Sequence, residues 1–270
     1  MPQLTVVGSV NLDLVARSVR LPRVGETLTD ATFARYPGGK GANQAVAAAR
    51  LGAETRLLGA VGADELAEPA LAGLREAGVE LELSQRDATG VALILVDDAG
   101  DNVIVVAPGA NVQVGRVEVG GNVLCQLEIS DETIVSAAEG AQRFFLNAAP
   151  ARALPADVVR AAELVVVNRY ELDSLTETPS LLALTLGEEG AVLIEAGAEV
   201  ARAPAPRVDA VDGTAAGDAF TACLVVSLLE GRDREEALCR ACAAGAIAAS
   251  RPGAQPSLPT AVEVDAMLSE

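Results

Sequence analysis

The chain has 270 residues, half of them apolar, a formal net charge of −18 and no histidine. That length and apolar content are enough for one large core, alone or with a smaller appendage, and they exclude disorder and collagen-like repeats. So acidic a surface, without a basic block, argues against nucleic acid and for a small-molecule partner; an anionic ligand would need positive potential built locally from backbone amides and helix ends.

The opening stretch "LTVVGSVNLDLVARSV" reads as a buried strand running into an amphipathic one, since Asn11 and Asp13 alternate with Val10, Leu12 and Leu14. Proline and glycine breaks follow through "LPRVGETLTDATFARYPGG", then a helix over "GANQAVAAARLG" that Gly52 caps. "LAEPALAGLREAGV" predicts a second helix, and "TGVALILVDDAGDNVIVVAPGAN" a hairpin turning at Asp98 to Gly100. From there the rhythm changes. The short apolar runs "NVLCQLE", "RFFLN", "ELVVVN" and "LLALTLG" alternate with helix-compatible stretches such as "DETIVSAAEGAQ" and "ALPADVVRAA". Strand followed by helix, repeated, predicts an α/β fold with a mainly parallel sheet and helices on both faces. Ligands in such sheets bind beyond the carboxyl ends of the strands, where Glu128, Asn147, Asn168 and Gly187 fall. The β-rich pieces at 10–37 and 88–109 break the α/β rhythm and are assigned to a small β lid; 1–9, 38–87 and 110–270 form the core.

Cys125, Cys223, Cys239 and Cys242 show no disulfide framework and read as small core residues in a reducing compartment. Without histidine there is no Ser-His or Cys-His hydrolase. No signal peptide and no apolar stretch long enough to span a bilayer is visible, so a cytoplasmic, membrane-free protein is expected.

Two stretches carry chemistry. Lys40 is the one lysine of the chain, framed by Gly39 and Gly41, in a sequence that otherwise uses arginine for every basic side chain. A compact ammonium between glycines can approach a ligand where a planar guanidinium would not fit. In "AVDGTAAGDAFTACLVVSLLEG", small residues lead into an apolar helix with Asp218 in its first turn. Amides at such a helix start hold an anion, and an aspartate beside them can take a proton from an attacking hydroxyl. That pairing suits phosphoryl transfer, although an ordinary helix-capping aspartate satisfies the same pattern. No G-x-x-x-x-G-K-[ST] motif and no protein-kinase catalytic loop is present.

The blocks "GSVNLD", "PGGKGANQAVAAARLGA", "TGVALILVD", "APGAN", "QLE", "NAAPAR", "VVNRYE", "TLGEEGA", "VDGTAAGDAF" and "AASRPGAQPS" resemble, in order and nearly end to end, those of the PfkB carbohydrate kinases, and GAQPS favours the ribokinase branch of that family. The resemblance implies a ribokinase-like three-layer α/β/α core with a β-sheet lid, and transfer of a phosphoryl group from Mg-ATP to the primary hydroxyl of a sugar, D-ribose first among the candidates. By similarity, Asn11, Asp13, Gly39, Lys40, Asn43 and Glu128 hold the sugar, Asp218 is the general base, and the amides of Ala215, Ala216 and Gly217 form the anion hole. Asn168 and Glu171 organise Mg-ATP, with Glu171 acting on Mg²⁺ indirectly. Thr185, Gly187 and Gly190 border the nucleotide together with Gly217. A monovalent cation, K⁺ or similar, is implied at Asp212, Thr214, Ala248, Arg251, Gly253 and Ser257, and a homodimer through the lids.

The sequence departs from the family pattern in places. Gly213 stands where threonine is usual, and Glu188 and Glu189 bring negative charge to the polyphosphate side. The stretches 111–128 and 168–186 are too short for the usual connecting helices. These departures keep open a nucleoside kinase or another PfkB sugar kinase, and a sugar-binding relative of low catalytic power.

Overall fold

The computed structural model describes residues 1–269. β1 (Gln3–Val7) is an apolar strand buried from Leu4 onward. The chain then leaves the core through the antiparallel pair β2 (Asn11–Ser18) and β3 (Thr32–Gly38), which are joined by a long connection with a tight turn at Arg23–Glu26 in its middle, not by a two-residue hairpin. It returns as α1 (Lys40–Arg50) and β4 (Glu54–Gly62), which lies parallel to β1. α2 (Ala67–Glu76) leads to β5 (Glu80–Arg86), and a second excursion makes the hairpin of β6 (Gly90–Asp97) and β7 (Asn102–Ala107).

Strand and helix then alternate: β8 (Asn122–Cys125), α3 (Asp131–Gly140), β9 (Arg143–Asn147), α4 (Ala156–Ala161), β10 (Leu164–Asn168), the single turn α5 (Arg169–Leu172) and β11 (Leu181–Thr185). No α-helix connects Asn111 to β8, and the single turn α5 is the one helix within 168–186, so the two shortened stretches do lack long helices. The parallel rhythm stops at β11. β12 (Ala191–Glu195) and β13 (Ala198–Ala203) add to it antiparallel, turning at Ala196 (φ 49) and Gly197 (φ 79). Two consecutive left-handed residues make a tight turn whose twist suits a hairpin, so this edge departs from the strand–helix repeat. α6 (Ala216–Leu229), α7 (Arg234–Ala249) and α8 (Ala261–Met267) complete the chain.

The large sheet has nine strands in the order β13-β12-β11-β10-β9-β8-β1-β4-β5. Successive residues of its strands face opposite sides. Val6, Leu124 and Phe145 join a core with α1, α2, α6 and α7, while Val7, Val123 and Phe144 join another with α3 and α4. The molecule is therefore helix, sheet, helix in three layers. α6 is apolar on every side because the sheet, α1 and α7 surround it, and Asp218 is its one charged residue.

The smaller sheet, in the order β3-β2-β6-β7, is made entirely from the two excursions, with β2 and β6 parallel. Register puts Asp13, Tyr36, Ala92 and Val106 on one face and Phe33, Leu93, Leu95, Val103 and Val105 on the other. In the large sheet the connections run one way from β1 through β4 to β5 and the other way from β8 to β11. The crevice between β1 and β8 is thus a topological switch point, where open α/β sheets bind ligands.

Candidate functional site

The residues just beyond β1 and β8 meet at that crevice. Ser9 Oγ donates to Glu128 Oε2 at 2.5 Å, and the same oxygen accepts the backbone N–H of Lys40 at 3.0 Å. Glu128 thereby caps the first turn of α1, where the helix dipole favours a carboxylate and disfavours the ammonium of Lys40. The glycines around Lys40 are sterically required: a Cβ on Gly39 (φ 89) would stand 2.8 Å from Asn11 N, and one on Gly41 would stand 2.4 Å from Ser9 N. Burial pulls the Lys40 ammonium toward its neutral form, but the carboxylates of Asp218, Glu128 and Glu171 outweigh it and hold its pKa above the ordinary lysine value. Four side chains from four parts of the sequence share one electrostatic enclosure.

The smaller sheet supplies the facing wall. Asn11 and Asp13 are buried at the start of β2. Asn111, which is buried, accepts from the Val10 N–H at 2.9 Å and donates to Asn11 Oδ1 at 2.7 Å, turning the Asn11 amino group away from itself. Burial first, then the charges of Glu128 and Asp218, push the Asp13 carboxyl up to about 7.

The third wall is the start of α6. Ala215 caps it in the left-handed region (φ 61), a conformation that costs a side-chain-bearing residue about 1 kcal/mol. The Ala216 N–H donates to Gly213 O at 3.3 Å, while among the described residues no hydrogen bond engages the N–H groups of Ala215, Gly217 or Asp218. Asn43 Nδ2 donates to Asp218 Oδ2 at 2.9 Å and Gln44 Nε2 to Asp218 Oδ1 at 2.9 Å. Burial holds the Asp218 pKa above the ordinary carboxylate range; Lys40, Asn43 and Gln44 act against that shift and Glu128 adds to it.

Beside α6 opens a cavity of ≈ 800 Å³ lined by Thr185, Gly187, Glu188, Gly190, Arg207 and Gly217, with Cys242 among the lining residues as well. Gly190 (φ 94) lies where a Cβ would meet Ala203 O at 2.0 Å, so no other residue fits there. Glu189 is paired with Arg169 at 2.6 Å, while Glu188 and Asp209, the two acidic residues that line the cavity, have no ion pair among the described residues. Asn168 and Glu171 form a capping box around α5: Asn168 Oδ1 accepts from the N–H groups of Tyr170 and Glu171, and Glu171 Oε2 accepts from the Asn168 N–H at 2.8 Å. Glu171 still faces the enclosure. Its pKa is raised, first by burial and then by Asp218, against the Asn168 N–H and Lys40.

The loop before α6 is tied to the end of α7. Asp212 Oδ1 accepts the Thr214 N–H at 2.9 Å and its hydroxyl at 2.6 Å, and Asp212 Oδ2 accepts the Gly253 N–H at 2.9 Å. Arg251 N donates to Ala248 O at 3.2 Å, and the Ser257 hydroxyl to Ala254 O at 2.7 Å. Partial burial works against ionised Asp212, but the Thr214 and Gly253 donors prevail and hold its pKa below the usual range. Both Asp212 oxygens and the Ala248 carbonyl therefore already accept hydrogen bonds; Asp212 Oδ2 and that carbonyl, with one each, keep a further lone pair open to a cation.

The sequence-predicted residues thus lie around Lys40 and the start of β2, at the start of α6, along the 800 Å³ cavity, at the α5 capping box and in the Asp212 loop. Sequence reasoning gave no role to Gln44, Asn111, Gln126 or Arg207. The available signal was two amides, Asn43 and Gln44, inside a helix otherwise buried through alanine and valine.

The sequence profile described as pfkB family carbohydrate kinase matches residues 1–261. A ribokinase of Bacillus subtilis is 36% identical over 295 residues, covering 100% of both chains. A ribokinase of Lactococcus lactis is 35% identical over 297 residues, covering 100% of this chain and 98% of its own. Both alignments are longer than this chain, so those relatives carry segments that it lacks. Among solved structures, Arabidopsis thaliana ribokinase complexed with ribose and ATP superposes with a TM-score of 0.89 at 28% identity, covering 100% of this chain and 99% of the other.

Proposed function

From its membership of the pfkB family of carbohydrate kinases, to which the chain belongs, we propose that it transfers the γ-phosphoryl group of ATP to the primary hydroxyl of D-ribose, giving D-ribose 5-phosphate and ADP. The observation that carries this reading is Asp218: a buried carboxylate at the start of a long apolar helix, next to uncommitted amides and joined to the Lys40 helix through Asn43.

In this reading the sugar lies between β2 and the start of α1. Asn11, Asp13, Asn43 and Glu128 offer directional acceptors and donors, and Lys40 supplies the compact cation, with Gly39 allowing close backbone approach. The lid is the smaller sheet, which covers the sugar. ATP occupies the cavity beside Thr185, Gly187 and Gly190, its terminal phosphate against the first turn of α6. Asp218 takes the proton of the primary hydroxyl as that oxygen bonds to the γ-phosphorus, and the bond to the ADP oxygen breaks in line. The proton rests on Asp218 and leaves to solvent when product departs. The amides of Ala215, Ala216 and Gly217 receive charge on the transferring group.

Two metal ions belong to the proposal. Mg²⁺ enters with ATP, neutralising phosphate charge; the Glu171 oxygen left free by the capping box is the acceptor available to its water shell, and the Asn168 amino group is a donor available to a phosphate oxygen. The backbone carbonyls around Ala248, Arg251 and Gly253, with Asp212, Thr214 and Ser257, would hold K⁺, which steadies the loop that carries the anion hole.

Steady-state ADP release over ribose, 2-deoxyribose, fructose, adenosine and cytidine, with and without K⁺, tests this. Ribose is expected to exceed each of the others in kcat/KM by roughly 10-fold or more, because buried groups that bind a hydroxyl reject its absence. Preference for a nucleoside, or no turnover with any acceptor, overturns it.

A further inference from the structure

Asp218 is held on both oxygens, and only one of the two donors borders the sugar wall. Gln44 is fully buried, at 0% exposure, so no ligand touches it. Its amide is itself constrained at each end. Gln44 Nε2 donates to Asn147 Oδ1 at 2.9 Å as well as to Asp218, and Gln44 Oε1 accepts from Gln126 Nε2 at 2.6 Å. Asn147 in turn donates its amino group to the carbonyl of Val166 at 3.2 Å.

A backbone carbonyl only accepts, so the order of the whole chain follows from Val166. Asn147 must turn its amino group to that carbonyl and its oxygen to Gln44. Gln44 must then present its amino group to Asn147 and Asp218, and its oxygen to Gln126. With Gln44 turned over, its oxygen would oppose two other oxygens and its amino group would oppose that of Gln126. The sheet provides the frame, because Val166, Asn147 and Gln126 lie in or just beyond the neighbouring strands β10, β9 and β8. Gly8, after β1, leaves the room: a Cβ there would stand 2.1 Å from Gln126 Oε1.

We propose that Gln44 is a positioning residue: held by Gln126 and Asn147, it fixes the rotation of the Asp218 carboxylate and so the direction in which a free lone pair meets the hydroxyl of the acceptor. This rests on the reading of Asp218 as general base. A carboxylate torsion is otherwise broad, and proton abstraction depends steeply on alignment.

The same contact has a pH consequence. Lys40, Glu128, Asp13 and Glu171 are the charged groups facing Asp218; Lys40 and the donors Asn43 and Gln44 favour its ionised form, while burial and Glu128 oppose it. Deleting the Gln44 donor leaves burial less opposed, and the proton is then lost only at higher pH.

The test is Gln44→Met, which keeps length and removes both polar atoms, alongside Gln126→Met, which leaves the Gln44 donor but frees it to turn. kcat and KM are measured across pH about 5.5 to 9, with melting curves for each variant. For Gln44→Met, kcat near neutral pH is expected to fall roughly 10- to 100-fold with both KM values within about threefold, and the acid limb to move up by about one pH unit. Gln126→Met should shift the limb the same way by less. A Gln44→Met profile that superposes on the parent, or a KM increase with kcat and the limb unchanged, overturns the proposal. If Gln44→Met does not fold, Gln126→Met decides by the same limb: a shift supports the proposal and its absence overturns it. Full activity in Asp218→Asn would sink the base assignment itself, whereas an inactive Asp218→Asn beside an unchanged Gln44→Met sinks this inference alone.

Discussion

Asn43 Nδ2 lies 2.9 Å from Asp218 Oδ2, a hydrogen bond between residues 175 positions apart. It joins the first turn of α1, where Lys40 stands, to the first turn of α6, so the glycine-framed ammonium and the late aspartate belong to one enclosure. Replacing Asp218 by asparagine keeps the shape but puts an amino group where Asn43 or Gln44 already donates. We expect kcat to fall by on the order of 10² to 10⁴, the usual contribution of a general base, with ribose and ATP affinities changed little by calorimetry. Full kcat in this variant would remove Asp218 from proton transfer.

Asp13 provides a pH signature. Its carboxyl is raised from 3.8 to about 7 by burial and by Glu128 and Asp218. A folded-state pKa above the unfolded one means that the folded form binds the extra proton between those values. Stability from this group is complete below pH 3.8, falls as pH rises toward 7, and is lost above it. Asp13→Asn should therefore raise the melting temperature of the unliganded protein more at pH 8 than at pH 5. Sugar hydroxyls that donate to Asp13 favour its ionised form, so ribose binding should tighten as pH rises through about 7 and release a proton. Equal ribose affinity at pH 6 and pH 8 would contradict the coupling.

Much of this was legible in the residues. The β1-to-β2 run, the helix behind Lys40 and the alternation from β8 to β11 follow from hydrophobic period and glycine breaks. The antiparallel edge of β12 and β13 did not, because its turn uses Ala196 in a left-handed conformation that the residue type does not advertise. Asp218 stood out as a lone charge in an apolar helix, whereas Gln44 and Gln126 carry no charge and acquire meaning only when β8, β9 and α1 bring them within hydrogen-bond distance. Asn111 is similar: its contact with Asn11 spans 100 residues and is invisible to any local pattern.

Glu188 is the departure most open to a direct experiment. Glu189 is neutralised by Arg169, but Glu188 lines the cavity assigned to ATP, as do Gly187 and Arg207. Glu188 and a polyphosphate repel through partly exposed space, where such terms are modest. Glu188→Lys should lower KM for ATP by roughly 3- to 10-fold at low salt, with less effect at high salt, and leave KM for the sugar unchanged. An ATP KM insensitive to this charge reversal would place the polyphosphate away from Glu188.

The smaller sheet has an apolar face that no other part of the described chain covers. Asp13, Tyr36, Ile94 and Ile104 line its cleft side, while Phe33 (60% exposed), Leu93 (51%), Val103 (49%) and Val105 (60%) form an apolar outer face. β7 also leaves one backbone edge without a partner strand. Contiguous exposed apolar strands of this kind are ordinarily covered, and a second copy presenting the same face is the partner we propose. Sedimentation at micromolar concentration should give a dimer, and Leu93→Glu with Val105→Lys should give a folded monomer. The monomer should also show a raised KM for ribose, since the sheet that bears Asn11 and Asp13 would lose its support. A parent protein that sediments as a monomer would leave the outer face unexplained and remove the dimer from the description of the site.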